Sequence, residues 1–246
     1  MRYRVITLVL AGILVVLPMA AGGPGRTMGG GPGETTGGGP GEVALMAIGG
    51  QNRTWAGYGG GALQASLPVW EHLDIQAGLQ GLSSGVMTGL LHIQPVFPLK
   101  EGELFADVTG YYGGFYKYST KEWLAGGSFG WRNAHVSAQV GLSVRWILDR
   151  NGAGKIVEPI DPLYRIAYRL KTDDAPWNLT GGMANYTRYQ VERAMQPVFF
   201  LEGRYRLSQQ LSLIGEVNIK PTGMFHLTAT WYGFSAGLGI SYRFAL

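Results

Sequence analysis

From Glu42 to the C-terminus the sequence alternates apolar residues with small or polar ones, over segments of about ten residues set apart by turn clusters. A period of two sends successive side chains to opposite faces of an extended strand. Between Ala134 and Leu148, the residues Val136, Ala138, Val140, Leu142, Val144, Trp146 and Leu148 share one face, and His135, Ser137, Gln139, Gly141, Ser143 and Arg145 share the other. The last segment repeats the pattern, with Phe234, Ala236, Leu238, Ile240, Tyr242 and Phe244 set against Ser235, Gly237, Gly239, Ser241 and Arg243. A soluble sandwich alternates too, so the content of each face has to decide. The polar face is crowded with Gly and with long charged side chains such as Glu202, Arg204 and Arg206, as a lumen requires. Trp70, Trp131, Trp146, Trp177, Tyr205 and Tyr242 fall near segment ends, where membrane interfaces place aromatic girdles. The pattern predicts an all-β chain folded as a transmembrane up-and-down antiparallel β-barrel.

The N-terminus supplies an address that agrees. Arg2 and Arg4 precede the apolar stretch Val5–Leu17 and the small residues Ala20, Ala21 and Gly22, the layout of a signal peptide over residues 1–21, cleaved near Ala21. That stretch is too short for a membrane-spanning helix, and no later stretch is long and apolar enough, so a membrane crossing has to be made by strands. Residues 22–42 repeat Gly-Gly-Pro-Gly and bury nothing, which predicts a flexible periplasmic linker ahead of a barrel over residues 43–246. Charged residues at 15% and aromatics at 12% exclude disorder over the bulk of the chain. The absence of Cys excludes disulfide scaffolds and thiolate metal sites, and no metal or cofactor is expected. Setting aside Arg2 and Arg4 leaves 18 basic against 16 acidic residues, which gives no bulk basic character for nucleic acid. The Asn-x-Thr triplets at Asn52, Asn178 and Asn185 are glycosylation acceptors only on a eukaryotic secretory route, which a barrel of this kind does not take.

Connection lengths give the strand number. Short turns at 70–72, 98–102, 132–133, 172–176 and 208–210 alternate with longer outer loops at 51–54, 83–85, 113–121, 149–162, 189–196 and 221–223. Five turns interleaved with six loops make twelve strands, with ten as the alternative, and put both termini in the periplasm. The first strand, Val43–Gly49, is short. The stretch Phe225–Tyr232 is offset in parity from the terminal strand and is expected to join it through a bulge at Gly233.

The ending Gly-Leu-Gly-Ile-Ser-Tyr-Arg-Phe at 237–244, with Tyr242 and the closing aromatic Phe244, resembles the C-terminal signal of bacterial outer-membrane β-barrel proteins; here Ala245 and Leu246 follow it. The resemblance implies outer-membrane lipid as the surroundings and insertion by the barrel assembly machinery. It implies no catalytic residues.

Function has to be read from the inward face. Its basic members outnumber the acidic Asp74, Asp107, Glu202 and Glu216. On the last three strands Glu202, Arg204, Arg206, Glu216 and Arg243 are expected to form an ion-pair network. Arg145, Arg165, Arg169 and Lys171 form a basic track with no carboxylate on the same face, unless Glu158 or Asp161 folds in from a loop. Such a track attracts anions. Inward Gly78, Gly126, Gly130, Gly141, Gly237 and Gly239 leave room, whereas Phe105, Tyr111, Leu124, Phe200 and Ile214 take it away. The reading is a narrow, porin-like transport channel with an anion preference and a small anionic solute as partner. The alternative is a non-conducting accessory barrel that docks other envelope or secretion proteins, to which the aromatic loop Tyr111–Tyr118 would contribute. A hydrolase is disfavoured: His135 and Ser137 share a face, but no orienting acid accompanies them and no Gly-x-Ser-x-Gly elbow is present.

Overall fold

Among the residues described by the computed structural model, 40–52, 57–115, 120–148, 154–170, 176–192, 196–222 and 230–245, twelve strands close into one antiparallel barrel. They are β1 (Gly41–Asn52), β2 (Gly57–Trp70), β3 (Leu73–Leu82), β4 (Val86–Leu99), β5 (Gly102–Phe115), β6 (Thr120–Arg132), β7 (Val136–Leu148), β8 (Gly154–Leu170), β9 (Trp177–Ala184), β10 (Val198–Arg206), β11 (Leu211–Thr222) and β12 (Thr230–Phe244). Each pairs with its sequence neighbours, and β1 closes on β12 from Gly41 opposite Phe244 to Asn52 opposite Gly233. The signal peptide and nearly all of the linker, residues 1–39, lie outside the described residues, as do 116–119 of the aromatic loop and 223–229 of the stretch before β12.

The tight turns expected at 70–72, 98–102, 132–133 and 208–210 fall where the punctuation of the sequence put them, the turn at 172–176 lies almost wholly outside the described residues, and the expected outer loop at 149–162 is strand from Gly154 onward. At the end that carries both described termini the connections are tight: Glu71-His72, Lys100-Glu101, Asn133–His135 and Leu207–Gln210. Asn133 shows why so few residues suffice there. Its Oδ1 accepts the backbone N–H groups of His135 and Val136 at 2.8 and 2.7 Å, which builds the turn from one side chain. The first strand is longer than Val43–Gly49 at both ends. A register shift lies between Lys220 and Pro221, with Gly233 opposite Lys220 and Trp231 opposite Pro221, so the parity change falls inside β12, next to Gly233 where the alternation placed it.

Burial follows the dyad period. On β7, Ser137, Gln139, Ser143 and Arg145 are buried in the interior, while Val140 and Leu142 are 66% and 57% exposed on the outer wall. Leu45, Leu91, Val108, Phe129, Ile166, Leu201, Leu213 and Leu238 continue this exposed apolar belt around the barrel. An apolar surface of that extent has no solvent but lipid. Trp70, Phe97, Tyr168, Trp177, Tyr205 and Tyr242 are exposed near the tight-turn end, and Tyr112 packs on Trp123 at 4.6 Å near the other. These are the two interface girdles. The refolded protein is therefore expected to require detergent, to show mainly β circular dichroism and to migrate differently on gels before and after heating; recovery as a soluble monomer without detergent would contradict the belt.

The interior holds two apolar clusters. One gathers Leu90, Tyr111, Leu124, Leu163, Ala167 and Phe200 from strands β4 to β10; the other gathers Ala44, Met46, Ile48, Ala62 and Ile214 from β1, β2 and β11. The glycines expected to leave room do not leave it empty. A Cβ on Gly130 would strike the Phe105 ring, one on Gly126 would meet Leu163 Cδ1 at 2.8 Å, and one on Gly237 would meet Met46 Cε at 2.7 Å. At Gly141 it would strike the backbone of β6, and at Gly239 the carbonyl of Leu45. The missing side chains are replaced by large neighbours and by closer strand approach.

Candidate functional site: an inward hairpin and the arginine cavity beside it

The segment between β9 and β10 contains the expected outer loop at 189–196, yet its described part turns into the barrel. Tyr186 and Val191 form an antiparallel bridge, and Thr187 closes the tip: its N–H donates to the Gln190 carbonyl at 2.8 Å, and its Oγ1 accepts from Gln190 N at 3.1 Å. Asn185, fully buried, fixes the base of this small hairpin. Its Nδ2 donates to the Pro162 carbonyl at 2.8 Å, its Oδ1 accepts from Tyr164 N at 2.9 Å, and its carbonyl accepts from Glu192 N at 2.7 Å. The triplet that would read as a glycosylation site elsewhere is here a structural pivot.

The hairpin bridges the lumen. Tyr186 and Val191 join the cluster on the β4–β10 side, and Tyr189 joins the one on the β1–β2–β11 side, with its hydroxyl donating to Met46 Sδ at 3.3 Å. Gly78 of β3 makes the crossing possible, because a Cβ there would collide with the Arg188 carbonyl and press on the Tyr189 ring at 3.0 Å. Burial pushes the Tyr186 and Tyr189 phenols up from their ordinary value, so both act as neutral hydroxyl groups. The Tyr186 hydroxyl donates to Gln139 Oε1 at 2.6 Å, and Gln139 Nε2 donates in turn to Ser128 Oγ at 2.6 Å and to Asp107 Oδ2 at 3.0 Å.

Charge pairs fasten the hairpin along its length. At the tip, Arg188 donates from Nη2 to Glu202 Oε2 at 2.7 Å, from Nε to Glu202 Oε1 at 3.3 Å, and from Nη1 to Gln64 Oε1 at 3.0 Å. Burial works against the Arg188 charge, but Glu202 and Glu216 outweigh it and hold the guanidinium above its ordinary value. Further back, Lys220 Nζ meets Glu192 Oε1 at 2.7 Å, and Arg145 Nη2 donates to the Glu192 carbonyl at 2.9 Å.

The structure places the sequence-derived residues as follows. Arg145 is buried against Glu122, with Asp161 Oδ2 at 3.5 Å, so it is a paired side chain rather than an open wall charge. Asp161 belongs to β8 and shares the inward face with Arg165 and Arg169, contrary to the expectation that this face carries no carboxylate. Arg165 stacks on Phe200 at 4.1 Å and lies 3.6 Å from Glu202, and Arg169 feels the same carboxylate. Lys171 lies outside the described residues. In the expected network on the last strands, Arg204 and Arg243 share Glu42 of β1, Glu216 accepts from Asn218 at 3.4 Å, Glu202 turns to Arg165 and Arg188, and Arg206 is exposed at the rim. Cross-strand pairing thus runs through β1 and the hairpin, neither of which the reading of the last three strands included. Tyr242 and Phe244 stand in β12 opposite Val43 and Gly41, at the seam.

Beside the hairpin lies a cavity of about 80 Å³ lined by Gln64, Gln76, Gln94, Gln139 and Tyr186, by Arg132, Arg165, Arg169 and Arg188, and by Glu202. Among the described residues, four guanidiniums and one carboxylate line it. Arg132 is held from behind by Glu103 and, at 3.6 Å, by Asp74. His92 also reaches the cavity, with Nδ1 2.8 Å from Asp107. The nearby hydroxyl of Thr109 approaches that same nitrogen at 3.3 Å, so Asp107 and Thr109 meet one ring nitrogen here, unlike the acid and nucleophile of a hydrolytic triad, which meet opposite nitrogens. His135 and Ser137 do not combine either: His135 is exposed at the rim, with Nδ1 3.4 Å from the Arg169 carbonyl.

No family model and no curated protein matches the sequence. Solved structures do match the fold. An outer membrane channel from Pseudomonas putida F1 superposes with a TM-score of 0.56 at 10% identity, over 89% of this chain and all of that one. The NanC porin gives 0.52 at 9% identity over 80% and 98% of the two chains, and the KdgM porin, solved with a disordered oligogalacturonate, gives 0.50 at 10% over 82% and 99%. These neighbours are porins and channels. The chain has the fold of outer-membrane porins, and the apolar belt on its wall requires the lipid that such a location provides.

Proposed function

We propose that this barrel is a narrow pore for small anionic solutes, with its selectivity set in the cavity beside the inward hairpin by Arg165, Arg169 and Arg188. The observation that carries this reading is the charge of the lining, four guanidiniums against the carboxylate of Glu202 among the described residues. In a water-filled space with low-dielectric walls such a lining concentrates anions and excludes cations. The glutamines Gln64, Gln76 and Gln94 on the same walls add neutral donors and acceptors suited to a hydroxylated anion. The oligogalacturonate bound by the KdgM porin, an acidic oligosaccharide, is a solute of that chemistry in a barrel of similar fold.

The test is conductance across planar bilayers under a salt gradient. The wild-type reversal potential is expected to be that of an anion-preferring channel, and the double change Arg165→Gln, Arg169→Gln should move it towards cations while assembly is retained, because lumen substitutions tune selectivity more than insertion. An unchanged reversal potential would remove the role given to these two residues. A second reading, the non-conducting barrel that docks envelope proteins, is favoured by one observation, the hairpin spanning the lumen between both apolar clusters. It predicts silence in the wild type and also in a variant with the hairpin tip deleted.

A further inference from the structure

Glu202 occupies an unusual position among the lumen carboxylates. Glu42, Glu122 and Asp161 each pair with an arginine of the barrel wall, which holds wall to wall. Glu202 of β10 instead joins wall to hairpin: Arg165 of β8 approaches it at 3.6 Å, and Arg188 of the hairpin tip grips both of its oxygens. It is also the one carboxylate among the described residues that line the cavity. The wall side of this arrangement is fixed, because Arg165 is stacked on Phe200. The hairpin side ends in a two-pronged guanidinium–carboxylate contact, the geometry by which arginine recognises any oxyanion presenting two oxygens. The cavity beside these groups has room for one such oxyanion.

We propose that Glu202 is a built-in stand-in for the anionic solute: it holds the hairpin tip inward through Arg188, and an oxyanion entering the cavity, a phosphate or the carboxylate head of a larger molecule, displaces it and frees the tip, while Asn185 and the Lys220–Glu192 pair keep the base in place. The inference rests on the reading of the cavity as an anion path, and it adds the regulation of that path. Displacement leaves no charge stranded. The incoming anion takes Arg188, and Glu202 keeps Arg165 and gains the neighbouring Arg169, whose charge already acts on it.

Release can be read without conductance, since Tyr186 and Tyr189 are 8% and 1% exposed and chymotrypsin cannot cleave after them while the hairpin is seated. In refolded barrels at matched ionic strength, replacing chloride by inorganic phosphate is expected to raise cleavage after Tyr189 about tenfold, the effect of exchanging one charge-assisted contact. Glu202→Gln should show the raised rate already in chloride and no further response to phosphate. Arg188→Gln should do the same, and it keeps the test open if the Glu202 variant does not refold. A wild-type rate that is equal in chloride and phosphate overturns the proposal, as does a seated, resistant hairpin in both variants. Cleavage that responds to phosphate in a barrel that never conducts would uphold the latch and sink the pore, so the two failures are told apart.

Discussion

Replacing Arg145 by Met is expected to lower the unfolding free energy of the refolded barrel by about 3–5 kcal/mol, the cost of removing one partner from a buried ion pair. The side chain is 4% exposed, and its partners Glu122 and Asp161 are 10% and 7% exposed, so water cannot take over from the guanidinium. Both carboxylates would lose the guanidinium they share. The backbone carbonyls of Val191 and Glu192, which accept from Arg145 at 3.4 and 2.9 Å, would lose a donor, so the hairpin is loosened at its base by the same change. Met fills comparable space, which isolates the loss of charge and hydrogen bonds from the opening of a cavity. The measurement is the urea midpoint of β-sheet circular dichroism in detergent. Arg206→Gln, an exposed residue near the tight-turn end, should stay within about 0.5 kcal/mol of the wild type. Equal midpoints for Arg145→Met and the wild type would mean that this buried cluster contributes nothing to the fold.

Why Arg145 reads from sequence as a member of an open basic track is a matter of register. The alternation of β7 and β12 is legible because lipid enforces it: each outward residue must be apolar, whatever its neighbours are. The strand number is legible because tight and long connections alternate. Partnership inside the lumen carries no such local signature. Pro159 and Pro162 make residues 149–162 read as a loop, since proline lacks the N–H a ladder needs. The structure nevertheless extends β8 back to Gly154, and β7 meets it there through register shifts on both sides of Arg145, with Ser143 opposite Asp161 and Arg145 opposite Glu158. Irregular pairing of this kind tolerates proline, and it brings Asp161 onto the inward face. The hairpin was hidden for a related reason. A connection between Ala184 and Val198 at the outer end reads as a loop in water, although Tyr186, Tyr189 and Val191 within it are apolar enough to seek cover. Together with Asn185 and Thr187, residues that build turns, they are the signal from which an inward fold could have been read.

Gly239 presents the opposite situation, a residue whose apparent meaning in sequence and whose role in the structure make separable predictions. It lies in the ending that resembles the outer-membrane barrel signal, so a change there could act through recognition by the assembly machinery. In the closed barrel it faces inward between Met46 of β1 and Ile214 of β11, both 2% exposed. A Cβ at this position would collide with the Leu45 carbonyl and meet Met46 Cγ at 2.7 Å and Met46 Cα at 2.8 Å. Two of those three atoms are backbone and cannot turn aside as a flexible side chain can. Gly239→Val must therefore separate β12 from β1 along the one seam that closes the sheet, exposing a strand edge that lipid cannot satisfy. The folded, heat-modifiable fraction is expected to fall roughly tenfold or more, from the cost of overpacking a site where the backbone itself must yield. Gly110→Val on β5, where a Cβ would meet nothing within 4 Å, should fold as the wild type does. Trimming Met46 to Ala in the Gly239→Val background should restore little, because the Leu45 carbonyl remains in the way. Refolding from urea into detergent micelles, with no assembly machinery present, decides between the two meanings. Failure there assigns the effect to packing at the seam, whereas normal refolding in micelles combined with failure in cells would show that Gly239 acts as part of a recognised signal and that the seam accommodates the larger residue.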